Sequence, residues 1–125
     1  MEKLLIEATD DSPKIFLNGD RGILQFKGRS FMEDTSSYSV AIIQWLRDYM
    51  KNPQTKSIID LEFEYVNSAS HRMISEFMNE VNKYYILGND FEVIWRCPAE
   101  DETLIEFGEE LNEILEISIK FDFTA

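Results

Sequence analysis

The sequence predicts an α/β fold in which a mixed β-sheet is flanked by amphipathic helices. Three observations support this prediction. The opening part of the chain consists of short apolar runs separated by turn residues, and from residue 38 onwards segments with helical spacing alternate with segments of strand character. The length of 125 residues, without linker or repeat, fits one domain over residues 1–125. The predicted order is βββαβαβαβ, with right-handed crossovers and parallel pairing in the alternating part.

Three strands are expected before the first helix, because their apolar runs are too short for helices. The second run ends at Asn18-Gly19, a strong turn signal, and the third lies between Gly22 and Gly28. We expect these strands to pair antiparallel. Their apolar residues are Leu4, Leu5, Ile6, Ile15, Phe16, Leu17, Ile23, Leu24 and Phe26.

The first helix is predicted from apolar residues at i, i+3, i+4, i+7, i+8 and i+11, which lie on one helical face. Asp34, Thr35 or Ser36 is suited to cap its start, and Asn52-Pro53 ends it. We expect the tryptophan of this face to be buried. The face consists of Tyr38, Ala41, Ile42, Trp45, Leu46 and Tyr49.

A strand is expected over residues 57–65, a second helix over about 68–85 and another strand over 91–95. In the first of these strands, Leu61 and Phe63 should be buried. The apolar members of that strand are Ile58, Ile59, Leu61, Phe63 and Tyr65, and the core face of the helix consists of Ile74, Phe77, Met78, Val81 and Tyr84 or Tyr85.

The third helix is expected to open at Asp101 or Glu102, shortly after Pro98. A final strand alternates over residues 117–123. The apolar stripe of the helix consists of Leu104, Phe107, Leu111 and Ile114 or Leu115, and the strand contributes Ile117, Ile119, Phe121 and Phe123.

The composition disfavours several classes of partner. With a formal charge of −12 and a pI of about 4.4, the chain is poorly suited to bind nucleic acid or an anionic membrane, which both need clustered Lys and Arg. The acidity instead predicts good solubility and steering towards basic surfaces. One cysteine permits no intrachain disulfide, residues 1–9 lack the apolar run of a signal peptide, and no stretch approaches the roughly 20 apolar residues of a membrane span. We therefore expect a cytoplasmic protein.

No motif predicts catalysis, a metal ion or a cofactor. The five glycines are scattered through turns and do not form a phosphate-binding loop. His71 and Cys97 are the only His and Cys, whereas a zinc site needs about four such ligands. We expect His71 to be a surface or partly packed side chain and Cys97 to be a buried, inert thiol.

The third helix carries a run of carboxylates, of which Glu102, Glu106 and Glu109 share a face by helical spacing. This face is either simply solvated, with acids favoured near the helix N-terminus, or a docking strip for a basic partner. A hydrolase pair or a magnesium site is the third alternative, and it needs a cleft that the sequence does not show.

The segment from Glu64 to His71 joins an apolar strand directly to Asn-Ser-Ala-Ser and a helix. Asn67 or Ser68 is suited to be the N-cap, which explains these residue types without any function. A hydroxyl at this place is also a candidate phosphorylation site, because a phosphate would meet free backbone N–H groups and the positive end of the helix dipole. The residues alone leave both interpretations open.

Three segments resemble motifs of the SiaC family of bacterial regulatory phosphoproteins. Residues 28–34, Gly-Arg-Ser-Phe-Met-Glu-Asp, resemble the family's Gly-Arg-Ser-aromatic-Pro-Glu-Asn signature, with Met32 at the proline position. Residues 61–70 are similar to its Tyr-aliphatic-or-aromatic-Asn-Thr-Ser-Ser segment, and residues 101–109 to its Asp-Glu-Asp-Met-x-Glu-x-Gly-Glu run. Each motif alone is weak, but the three occur in the family's order and extend over nearly the whole chain.

The resemblance implies a STAS-like domain with a phosphorylated hydroxyl at a helix N-terminus, and a non-catalytic signalling role. The family's phosphothreonine falls on Ser68, with Ser70 as the second choice. The implied partners are a Ser/Thr protein kinase, a PP2C-type phosphatase and a diguanylate cyclase or similar target that the unphosphorylated form binds and regulates. Cyclic-di-GMP signalling and biofilm behaviour would follow. The alternatives are an interaction subunit of the same fold without phosphorylation and, third, a small acidic-site hydrolase.

The surface around Ser68 is expected to bind the partner proteins, with the acidic strip of the third helix contributing. No cofactor or metal ion is expected. The expected partner-binding residues are Arg29, Ser30, Glu33, Asn67, Ser70, His71, Arg72, Glu102, Glu106 and Glu109.

Overall fold

Residues 2–124, which the computed structural model describes, form six strands and three helices around one sheet. Their order is the predicted βββαβαβαβ, so the predicted fold class is confirmed. The elements are β1 (Leu4–Ile6), β2 (Lys14–Asn18), β3 (Ile23–Ser30), α1 (Ser36–Tyr49), β4 (Lys56–Val66), α2 (Ser68–Ile86), β5 (Asp90–Pro98), α3 (Glu102–Ile114) and β6 (Ile119–Thr124).

The strands lie across the sheet in chain order, from β1 at one edge to β6 at the other. β1, β2 and β3 pair antiparallel, and β3 to β6 pair parallel. Each helix joins two neighbouring parallel strands. Because every crossover advances in the same direction and right-handed crossovers are the rule, all three helices lie on one face of the sheet. The other face is left open.

The core lies between the helices and the covered face of the sheet. Leu61 and Phe63 of β4 are 0% and 1% exposed and Trp45 of α1 is 8% exposed, which confirms that these residues are buried. In β4 and β5 buried residues alternate with partly exposed ones, as expected for strands with one covered face. Leu115, the residue that follows the third helix, is buried, whereas Ile114 is 71% exposed, so Leu115 is the one of the two that packs in the core.

Tyr65, an apolar member of the predicted strand, does not continue the buried alternation of β4. Gly28 of β3 pairs with Phe63, but the next residue, Arg29, pairs with Tyr65, so β4 contains one extra residue, Glu64. Such a β-bulge turns the following side chains to the other face of the sheet. Tyr65 is consequently 50% exposed.

The open face of the sheet is covered with ion pairs. The Glu92 carboxylate lies 2.8 Å from the Lys120 ammonium and 3.0 Å from that of Lys56. The hydrogen bonds from Lys120 and Lys56 lower the pKa of Glu92 to about 2. The remaining ion pairs of this face join Arg96 to Asp60 and Asp122, and Lys27 to Glu62.

Truncating Trp45 to alanine should lower the free energy of unfolding by roughly 3–5 kcal/mol, the usual cost of removing a large buried aromatic side chain. Trp45 stacks on Tyr49 with ring centroids 5.1 Å apart, and its Nε1 donates to the Glu2 carbonyl at 2.9 Å. Chemical denaturation measures the loss. Val40→Ala, at a 70% exposed position of the same helix, is the control and should change stability by about 0.5 kcal/mol or less.

Candidate functional site

The candidate site lies where β3 and β4 end and α2 begins. Ser30 is the last residue of β3 and pairs with Val66, the last residue of β4. The amide of Asn67 then donates to the Ser30 carbonyl at 2.9 Å. Parallel strands bring their carboxyl ends to the same edge of a sheet, and this edge is where α/β proteins commonly bind ligands and partners. The two motifs at residues 28–34 and 61–70 therefore meet in space.

Asn67 is the N-cap of α2, and Ser68 is not. The Asn67 Oδ1 accepts from the Ser70 amide at 2.9 Å, while its Nδ2 donates to the Met32 carbonyl, also at 2.9 Å. The backbone carbonyl of Asn67 accepts from the His71 amide at 2.8 Å. Both polar ends of this side chain are thus used inside the protein, and Asn67 acts as a clamp between the residues after β3 and the start of α2.

Ser68 is the first residue of α2 and is exposed. In the described part of the chain, its hydroxyl has no hydrogen-bond partner, and the amides of Ser68 and Ala69 have no acceptor. The first amides of a helix are unsatisfied by the helix itself and carry the positive end of its dipole. A group attached to the Ser68 oxygen therefore finds open space and two nearby donors.

Ser30 and Ser70, which were both expected to bind partner proteins, do not lie at the surface. Both are 0% exposed, and the Ser30 hydroxyl donates to the Ser70 oxygen at 2.5 Å. A buried hydroxyl that is already paired is inaccessible to a kinase and to a docking partner in this conformation. Of the serines expected at this site, Ser68 alone is therefore exposed in the described structure. The role of Ser30 and Ser70 is to join β3 to the first turn of α2.

His71 links α2 to α3. Its ring stacks on Phe107 with centroids 3.6 Å apart, and its Nε2 lies 3.6 Å from the Glu110 carboxylate. The side chain is 45% exposed, which agrees with the expectation of a partly packed residue. A cavity of about 140 Å³ beside it is lined by Val66, His71, Thr103, Leu104, Glu106, Phe107 and Glu110.

The acidic strip predicted on α3 is therefore only partly at the site. Glu106 lines the cavity beside His71, whereas Glu102 and Glu109 are exposed and line neither that cavity nor the one beside Arg72. Glu110 faces His71 and was not among the expected partner-binding residues. Its spacing of four residues from Glu106 was the available signal, since residues four apart lie on one side of a helix.

Arg72 and Glu33 line a second cavity, of about 400 Å³, between the starts of α1 and α2. The Arg72 Nε donates to the Glu76 carboxylate at 3.0 Å. Asp34 accepts from the Ser36 amide at 2.9 Å, and this hydrogen bond lowers the pKa of the Asp34 carboxyl. The full lining is Glu33, Asp34, Thr35, Ser36, Ser39, Val40, Ala69, Arg72 and Glu76. This side of the site is mainly acidic.

On the other side of the site lies a cluster of the exposed Arg29 and Tyr65 and the half-buried Phe31. The Arg29 guanidinium carbon lies 5.2 Å from the centre of the Phe31 ring, and the Phe31 and Tyr65 rings meet edge to face at 5.9 Å. Arg29 was among the expected contact residues, whereas Phe31 and Tyr65 were not. Tyr65 could not have been found from alternation, because the β-bulge reverses it.

The described residues contain no cluster of metal ligands. Among residues 2–124, no three His, Cys, Asp or Glu side chains are grouped so that they could hold a metal ion. Cys97 is buried, as predicted, and burial raises the pKa of its thiol. Over the same range, none of the helices has the length and apolar character needed to cross a membrane.

Comparisons with known proteins identify the family to which the chain belongs. The profile of the SiaC family of regulatory phosphoproteins matches residues 6–124. The chain belongs to the SiaC family. This assignment confirms the family predicted from the three motifs and the regulatory, non-catalytic nature of the protein. A curated relative, an uncharacterized protein of Pseudomonas aeruginosa strain UCBPP-PA14, is 23% identical over 113 residues, which are 90% of each chain.

Solved structures of SiaC from Pseudomonas aeruginosa have the same fold as this SiaC-family chain. One SiaC structure is 20% identical, with a TM-score of 0.90 over 99% of this chain and 100% of the other. The apo-SiaC structure has a TM-score of 0.86 at 20% identity, over 98% and 99% of the two chains. A third structure shows the diguanylate cyclase SiaD in complex with its activator SiaC, which is 21% identical, with a TM-score of 0.89 over 97% and 99%.

Replacing Asn67 with alanine should lower the free energy of unfolding by about 1 kcal/mol, with a range of 0.5–2, because the cap of α2 is lost. Asn67→Asp keeps the acceptor for the Ser70 amide but not the donor to Met32, so it should cost less than alanine. Chemical denaturation compares the variants with Ser68→Ala, which removes no hydrogen bond of the described structure. A larger loss for Ser68→Ala than for Asn67→Ala would contradict the assignment of the cap.

Proposed function

We propose that this SiaC-family protein is a cytoplasmic signalling switch that is reversibly phosphorylated on Ser68 and whose unphosphorylated form binds and regulates a diguanylate cyclase. The observation that carries the proposal is the environment of Ser68. Its hydroxyl is exposed at the first position of α2, while the neighbouring Ser30 and Ser70 are buried against each other. A kinase can therefore reach one hydroxyl of this segment without unfolding it. We further propose that a Ser/Thr protein kinase adds the phosphate and a PP2C-type phosphatase removes it.

A phosphate on Ser68 should be accommodated by the fold. It adds about −1.5 to −2 charges and three strong acceptors. The free amides at the start of α2 and the helix dipole favour this charge, by typically 0.3–1 kcal/mol at an exposed end. His71 and Arg72 lie three and four residues further along α2, on the same side of the helix as Ser68. The modification should therefore leave the domain folded.

The phosphate should act by changing how strongly the partner binds. Ser68 lies at the edge of the sheet where the aromatic cluster of Arg29, Phe31 and Tyr65 and the acidic cavity beside Arg72 are found. A partner that packs closely on this surface would have to remove the water around the dianion. That removal is costly unless the partner supplies Arg or Lys at this place.

The diguanylate cyclase is proposed as the target because SiaC of Pseudomonas aeruginosa forms a complex with the diguanylate cyclase SiaD, of which it is the activator. The partner-binding surface we propose comprises Arg29, Glu33, Arg72 and the acidic residues of α3. We add the half-buried Phe31 and the exposed Tyr65 to it, since aromatic side chains are enriched at protein interfaces.

Ser68→Ala should remain folded, accept no phosphate at this position and bind the target with or without the kinase. Ser68→Asp should weaken target binding only in part, because it carries one charge and is shorter than phosphoserine. Ser37→Ala is the matched control, since Ser37 is an exposed serine in the first turn of α1 and lines neither cavity of the site. Mass spectrometry after incubation with the kinase, followed by target pull-down, measures both effects.

Three outcomes would each refute the switch. Phosphate could be found at another residue while Ser68 stays unmodified, or phosphorylated and unphosphorylated protein could bind the target equally well. Protein isolated from its native cells could also carry no phosphate under any condition, which would leave a constitutive interaction subunit of the same fold.

Reversing the charge of Glu106 to lysine should slow association with the target and flatten its salt dependence, because charges at the rim of an interface act mainly on the rate of encounter. Glu102→Lys and Glu109→Lys should have smaller effects, since these residues line neither cavity of the site. Stopped-flow association at several salt concentrations measures the rates. Equal rates for wild type and all three variants at low salt would show that the strip is only a solvated face.

A further inference from the structure

β6 forms a free edge of the sheet. Among the strands that the structure describes, it pairs with β5 alone. Its pairing register is uninterrupted from Ile119 to Thr124, and this stretch contains no proline. Natural proteins usually blunt such edges with prolines, bulges or very short strands, because unpaired backbone groups attract other strands. An edge of six residues without these features is suited to pair with another strand.

The direction of the backbone groups shows which residues are available at this edge. The Thr124 carbonyl accepts from the Ala99 amide at 3.0 Å, on the side of β5. The Ile119 amide donates instead to the side chain of Asn112 at 2.8 Å. Backbone groups of successive residues in a strand point to alternate sides. Ile119, Phe121 and Phe123 therefore turn their N–H and C=O groups towards the free side.

We propose that β6 pairs antiparallel with β6 of a second copy of the protein, about a twofold axis beside Phe121, so that the two sheets become continuous. In this arrangement Phe121 exchanges both backbone hydrogen bonds with its own copy. The Phe123 amide of each chain donates to the Ile119 carbonyl of the other, and the hydrogen bond between Ile119 and Asn112 is kept. The twofold axis makes the same surface complementary to itself.

Charge selects this register. Lys120 and Asp122 flank Phe121 on the open face of the sheet. With Phe121 opposite itself, Lys120 of each chain lies opposite Asp122 of the other, and opposite charges at such positions stabilise a strand pair. Shifting one chain by two residues in either direction still pairs the free N–H and C=O groups of residues 119, 121 and 123. One of these shifts places Lys120 opposite Lys120, and the other places Asp122 opposite Asp122. Like charges directly opposite are destabilising.

The apolar side chains of β6 support the same arrangement. Phe121 and Phe123 stack with ring centroids 6.0 Å apart, and Phe123 is 49% exposed. In the proposed register, Phe121 meets Phe121 and Phe123 meets Ile119 on the face that the helices cover. Aromatic and β-branched pairs are favourable across strands. Pairing would thus remove an exposed aromatic side chain from water.

The test uses charge exchange between two variants of the full chain. Lys120→Asp leaves two acidic residues beside Phe121, and Asp122→Lys leaves two basic ones, so each variant alone should lose the dimer. Mixed in equal amounts they are again complementary and should form a heterodimer. Lys56→Asp is the control, because it makes the same charge change and breaks an ion pair to the same Glu92 away from the edge. It should dimerise as wild type does.

Sedimentation velocity over a range of protein concentrations measures the mass. At physiological salt, which screens the repulsion between chains of charge −12, wild type should approach twice 14.7 kDa as the concentration rises. Each edge variant should stay at 14.7 kDa, and their mixture should regain the larger mass. Circular dichroism shows that all variants are folded.

Two results would overturn the proposal. Wild type could stay at the mass of one chain up to millimolar concentration, in which case Lys120 serves to blunt the edge or to receive a strand of another protein. The other result is a mixture of the two edge variants that fails to regain the dimer while both are folded.

Discussion

The candidate site depends on the clamp formed by Asn67. The backbone amide of Asn67 donates to the Ser30 carbonyl at the end of β3, and its side-chain Nδ2 donates to the Met32 carbonyl. Its side-chain Oδ1 accepts from the Ser70 amide and so caps the first turn of α2. Together with the hydrogen bond between Ser30 and Ser70, these bonds fix the residues after β3 against the start of α2. Because the side chain of Asn67 takes the capping role, the hydroxyl of the next residue, Ser68, has no structural task and remains accessible.

The buried pair of Ser30 and Ser70 has a related effect. Two hydroxyls that satisfy each other can be buried at little cost, whereas a phosphate on either would be a buried charge without a partner. The fold thus separates the three serines of this site into two that pack and one that is exposed. Chemical selectivity in this segment follows from burial and from the capping geometry.

The chain-order sheet explains where the remaining surfaces lie. Three crossovers in one direction place all helices on one face, so the opposite face must be solvated by its own side chains. Ion pairs such as those of Glu92 and Arg96 satisfy this need. The same topology leaves β6 at an edge of the sheet, separated from β4 by β5. A contact made by β6 can therefore be independent of the surface around Ser68.

The sequence by itself determined the order of elements, the core faces of the helices and the junction that contains Ser68, because apolar periodicity and turn residues are local signals. The family motifs added the regulatory role. Only the tertiary structure decided that Ser30 and Ser70 are buried, that Tyr65 is exposed and that Glu110 faces His71. Each of these depends on pairing between distant segments. A β-bulge is defined by the register of two strands, and the contacts of a helix face by the element packed against it, neither of which a local pattern contains.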